Sequence, residues 1–133
     1  MRLPIDAAFG PNPSKYGFSP ATYGKLRASP MVKLTGDYDV FGDGSVTILS
    51  TPGHQSLLVR LPKTGAVILS GDVVHLEENF SLRRVPTFNF SINESRESME
   101  KIARVVQFEH AQLWINHDLK ESQSIAHSPQ YVE

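Results

Sequence analysis

The sequence contains no cysteine. That excludes disulfides, thiolate metal sites and a cysteine nucleophile, so any metal must be held by His, Asp or Glu. An excess of charge is also lacking: 13 Lys and Arg stand against 14 Asp and Glu, for a net charge of −1. No basic field is available to draw in nucleic acid or an anionic membrane. The longest aliphatic stretches, such as AVIL at 66–69, fall far short of the roughly 20 residues needed to span a bilayer. The opening MRLPIDAAFGPNPSKYG lacks the apolar core of a secretory signal. A soluble, cytoplasmic protein is expected. The signatures GxxxxGK(S/T), GxGxxG and GxSxG are absent as well, which argues against a phosphate loop, a dinucleotide fold and a serine nucleophile elbow.

What is present is ordinary for a globular chain. There are 133 residues, 40% of them hydrophobic, which suits one domain or a piece of one. Residues 1–36 differ from the rest. Pro4, Pro11, Pro13, Pro20 and Pro30 fall here, with Gly10, Gly17 and Gly24 among them. This composition predicts an irregular N-terminal segment, with at most a helical turn at 22–27. Tyr16, Phe18 and Tyr23 suggest that it packs and is not a free tail. Residues 37–133 form the second region.

In that region YDVF at 38–41 and VTILS at 46–50 flank Gly42-Asp43-Gly44, a hairpin signal. SLLVRL at 56–61, the turn Pro62–Gly65 and AVILS at 66–70 continue a meander. The last two strands are nearly all apolar, which predicts a sheet covered on both faces. An aromatic, irregular stretch at 81–93 precedes a helix over about Glu94–His110, capped by Asn93 or Ser95. Met99, Ile102, Ala103 and Val106 form its buried stripe. QLWI at 112–115 is a short strand, and the tail after Lys120 is polar.

Three polar groups follow apolar strands: His54 after VTILS, Asp72 after AVILS and His117 after QLWI. Ligands bind at strand ends in sheets flanked by helices. Two imidazoles and a carboxylate suit Zn²⁺ or another first-row divalent ion. The residues are too far apart in sequence to form a local metal motif, and each has a plainer role as a turn or cap residue. His75, three residues beyond Asp72, can share the site. His110 fits a helix C-terminus, and His127 lies in the polar tail. Glu77-Glu78 read as a solvated loop, and Arg83-Arg84 as a turn or ion pair.

The run TPGHQSLLVRLPKTGAVILSGDVVHLEENF, the later SRESMEKI and the final LWINHD resemble the C-terminal half of the metallo-β-lactamase superfamily, in its N-acyl-homoserine lactonase-like branch. The likeness covers about residues 36–120. It implies an α/β (α+β) fold: half of an αββα sandwich, with a mostly antiparallel sheet and a flanking helix. It implies Zn²⁺ or a similar divalent metal, with His54 and His117 as ligands and Asp72 as the carboxylate bridging two ions. His75 stands where related lactonases place a substrate-facing Tyr, so it and Asp72 are implied as catalytic. The implied chemistry is hydrolysis of lactones or esters.

Two features depart from the family. Its HxHxDH motif is absent, and with it most of the expected ligands. The family's TPGHxPGHQS reads TPGHQS here, so His54 aligns with the ligand when counted from upstream and with a non-ligating His when counted from downstream. Half of a sandwich also leaves a sheet face to cover. A homodimer that completes the site across its interface is expected; otherwise the N-terminal segment folds back over the sheet. The competing functional reading is a non-catalytic or truncated half-domain that folds and associates without the dinuclear site.

Overall fold

The computed structural model describes residues 4–87, 89 and 91–133. Phe88 and Phe90, within the aromatic stretch expected to be irregular, lie outside the described residues. The chain forms two compact units, one ending at Leu34 and one beginning at Thr35.

The first unit is built of short helical turns. Helices α1 (Pro4–Ala8) and α2 (Pro20–Tyr23) alternate with 3-10 turns at Pro13–Tyr16 and Gly24–Ala28. It is more helical than its composition suggests. Pro13 and Pro20 each open a turn, where the fixed φ is already helical and the missing N–H costs nothing. The aromatic residues pack within the unit. Tyr23 meets Phe9 edge-on at 5.3 Å and Phe18 at 6.2 Å. Its hydroxyl donates to the Ala8 carbonyl at 2.7 Å.

The second unit is a five-stranded sheet in the order β1-β2-β3-β4-β5: Tyr38–Asp39, Val46–Thr51, His54–Leu61, Gly65–Leu69 and Gln112–Trp114. The first four strands pair antiparallel, and β5 joins β4 in parallel. Between β4 and β5 the chain makes α3 (Glu77–Ser81) and α4 (Ile92–Glu109), and α5 (Leu119–Ser124) follows β5. The first hairpin is shorter than the apolar run predicts. Asp39 accepts from the backbone N–H groups of Gly42 and Gly44 at 3.0 and 2.8 Å, which turns the chain after two residues of strand.

Register sorts the side chains onto two faces. Leu49, Leu58 and Ile68 lie on the face covered by α4, where they pack with Met99, Ile102, Val73, Val74 and Ile115. Met99 and Ile102 are the buried centre of the expected helical stripe, and Val106 packs at its edge. Pairings of Ile48 with Leu57, and of Leu57 with Leu69, put a second apolar row on the opposite face, where Ile48, Leu57, Val59 and Leu69 remain partly exposed.

Helix α4 starts two residues earlier than its sequence pattern suggests. Its cap is Ser91, whose hydroxyl accepts from the Glu94 N–H at 3.2 Å. Ser91-Ile92-Asn93-Glu94 has the spacing of a capping box, so Ser91 does the work expected of Asn93 or Ser95. The helix ends at His110, which takes a left-handed φ of 50° and returns its N–H to Val106.

Candidate metal centre

Asp72 and His117 come from neighbouring strands. Leu69 and Trp114 are register partners at the carboxyl ends of β4 and β5. The chain beyond Leu69 passes Ser70 and enters the 3-10 turn Gly71–Val73. Ser70 is wholly buried and fixes this turn. Its hydroxyl donates to Gly71 and Val74 carbonyls, its carbonyl accepts from Ser56, and its N–H donates to Trp114. Val73 and Val74 are buried, whereas Asp72 is exposed and His75 partly exposed. Gly71 has φ +54°, and a Cβ there would lie 2.7 Å from the Gln55 carbonyl oxygen. Only glycine fits this position without displacing the turn.

His117 follows buried Ile115. Its Nε2 lies 2.9 Å from Asp72 Oδ1, and Asn116 Nδ2 donates to the same oxygen at 3.4 Å. The next residue, Asp118, caps α5 by accepting from Lys120 and Glu121 N–H groups, and it also accepts from Glu77 N–H at 3.0 Å. This bond ties the His117 loop to α3. It also corrects the reading of Glu77-Glu78 as a solvated loop: they form the first turn of α3, because the Asp118 carboxylate satisfies its leading N–H.

Among the described residues, Asp72, His75 and His117 are the group of His, Asp or Glu side chains whose ligand atoms all lie within 4.8 Å of one another. The imidazoles of His75 and His117 are nearly parallel, at 16°, with centroids 5.3 Å apart. The hydrogen bond from His117 holds the Asp72 carboxyl below the usual carboxylate range. Asn116 and the charges of His54 and His117 act in the same direction, and partial burial opposes them.

His54 sits differently from the loop residue that the sequence suggests. Thr51-Pro52-Gly53-His54 closes a tight hairpin, with Gly53 at φ +88°. Proline followed by a left-handed glycine is the chemistry of a type II turn. His54 is therefore the first residue of β3, paired with Thr51 and exposed. It influences Asp72 through charge but stands outside the close three-residue group. Nothing in the spacing of His75 announced its stacking on His117; the signals were its position three residues beyond Asp72 and the substrate-facing role that the resemblance implies.

The donor set suits a first-row divalent ion. Two neutral imidazoles and one carboxylate are ligands such ions accept, and open positions remain for water or substrate. Among the described residues no helix is long and apolar enough to cross a membrane.

No protein-family model matches the chain. It is 32% identical over 100 residues to N-acyl homoserine lactonase AttM of Azorhizobium caulinodans, covering 72% of this chain and 38% of that protein. It is 32% identical over 101 residues to an N-acyl homoserine lactonase of a Bacillus species, covering 74% of this chain and 40% of that protein. A solved N-acyl homoserine lactone hydrolase, with N-hexanoyl-L-homoserine bound at its catalytic metal center, superposes with a TM-score of 0.67. It is 31% identical and covers 74% of this chain and 40% of its own. The chain thus spans about two-fifths of the length of the relatives it matches. Sequence and fold together place it in the metallo-β-lactamase superfamily, on the N-acyl homoserine lactonase-like branch, as the C-terminal part of that fold.

Proposed function

We propose that this chain is a metal-dependent hydrolase subunit acting on lactones or related esters, with Zn²⁺ or a similar ion held at Asp72 and His117. The observation that carries this reading is the convergence of those two side chains at the paired ends of β4 and β5, in a chain that matches lactonases. Asp72 and His117 would hold the ion, and His54, the further ligand that the resemblance implies, stands outside the close group. A divalent ion so held lowers the pKa of bound water and polarises an ester carbonyl.

The chain's own groups supply the rest. The His117 hydrogen bond favours the ionised form of Asp72, the form that would bind a cation. Asn116 and His117 fix the orientation of its carboxylate. Three side chains leave coordination positions open, and a second copy of the chain is part of the reading. The partly exposed apolar row Ile48, Leu57, Val59 and Leu69 supports association into a two-fold dimer. The substrate is a small molecule, not nucleic acid, and a cytoplasmic location belongs to the same reading.

A second reading has its own support. Among the described residues only Asp72, His75 and His117 bring ligand atoms close together, which is fewer than a dinuclear site needs and favours a non-catalytic half-domain. Ring opening of an N-acyl homoserine lactone separates the two, followed by pH-stat titration with the zinc-loaded chain. The hydrolase reading expects turnover above that of zinc alone, lost in Asp72→Ala and His117→Ala. Wild-type turnover equal to zinc alone would favour the half-domain.

A further inference from the structure

We propose that His75 is a metal ligand, and that Asp72, His75 and His117 alone form a mononuclear site for a first-row divalent cation. The proposal rests on the reading of Asp72 and His117 as ligands and changes the third member. The resemblance gives His75 a substrate-facing role and makes His54 the other ligand. The geometry favours His75 as the partner of Asp72 and His117.

The donor atoms of these residues lie within 4.8 Å of one another. Two bonds of about 2.1 Å at a tetrahedral angle place donors about 3.4 Å apart. Side-chain rotation closes that difference, since Asp72 and His117 are exposed and His75 is partly exposed. Asp72 and His75 flank buried Val73 and Val74, which anchor the turn between them, and the buried Ser70 network holds its start. His117 is anchored by buried Ile115 on one side and by the Asp118 cap on the other. Two imidazoles and one carboxylate are the donor set of the facial triads that bind divalent iron and related ions, with open positions left for exogenous ligands. His54, at the start of β3, is exposed and outside this group.

The test is Co²⁺ titration of the full chain, read by visible d–d absorption and by native mass spectrometry for stoichiometry, with far-UV circular dichroism confirming that each variant is folded. One Co²⁺ per chain is expected. His75→Ala and His75→Phe, which keeps an aromatic ring but no ligating atom, should weaken binding by about tenfold or more and alter the d–d bands. His54→Ala should leave affinity within about twofold, as expected of a group that is not a ligand. If the His75 variants bind like wild type while Asp72→Ala and His117→Ala do not, His75 is not a ligand and the two-residue metal reading survives. If the wild-type chain takes up no Co²⁺, both fail.

Discussion

His117 Nε2 lies 2.9 Å from Asp72 Oδ1 across 45 residues of sequence. The contact exists because β4 and β5 are parallel neighbours in register at Leu69 and Trp114, and the segment after each strand then delivers its polar residue over the same sheet end. Both side chains are about half exposed, so water screens their attraction and the pair adds little to stability. Its value is positional: it holds a carboxylate and an imidazole together at an open edge.

Gly71→Ala should displace that edge. The new Cβ meets the Gln55 carbonyl at 2.7 Å and sits at φ +54°. Strain of this kind costs about 1–3 kcal/mol. Urea unfolding should show a lower midpoint, and Co²⁺ affinity should fall with it. An unchanged midpoint would mean that the turn relaxes freely.

Met99→Ala and Ile102→Ala should each cost about 2–5 kcal/mol, because large core side chains leave cavities. Both are essentially inaccessible to solvent and pack against the sheet. Phe108→Ala, on the same helix but 83% exposed, should change stability by less than about 0.5 kcal/mol. Thermal melts of the three variants check the contrast.

Asp118→Ala should act on metal binding without removing a proposed ligand. The carboxylate caps α5 and receives the Glu77 N–H, so its loss frees the loop that carries His117. A cap of this type is worth about 1 kcal/mol. A fall in both melting temperature and Co²⁺ affinity is expected. Asp118→Asn, which keeps an acceptor, should recover most of each.

Acid should weaken the fold partly through Glu109. Arg60 grips it with two hydrogen bonds, of 3.0 and 2.7 Å, and this holds the Glu109 carboxyl below its ordinary value of 4.5. The folded state therefore prefers the ionised form. That stability is fully present above about pH 4.5 and is lost as the pH falls through the lowered folded value. Arg60→Met should flatten the acid limb of a stability-versus-pH curve measured by urea unfolding. A limb of unchanged slope would show that the pair makes no contribution.

Much of the sheet was legible because Val46–Thr51, His54–Leu61 and Gly65–Leu69 are apolar runs bounded by glycine and proline. The Asp72–His117 pair was legible for the same reason, since both follow such runs. Helix α5 was not, because Leu119–Ser124 is a polar stretch held by the Asp118 cap and carries no apolar stripe. The start of α4 lies upstream of the expected caps because the Ser91 hydroxyl accepts from the Glu94 backbone N–H. His75 was the hardest to read. Its approach to His117 depends on the sense of the turn Gly71–Val73, which buried Ser70, Val73 and Val74 set through packing.

The central claim is that this segment of a lactonase-like fold holds a divalent metal with Asp72 and His117. Native mass spectrometry of the purified chain after zinc loading and desalting tests it most directly, because it counts ions and chains in one spectrum. The account predicts retained zinc on a dimer of like chains, lost in Asp72→Ala and His117→Ala. Zinc-free wild type, or equal zinc retention in both variants, would contradict it.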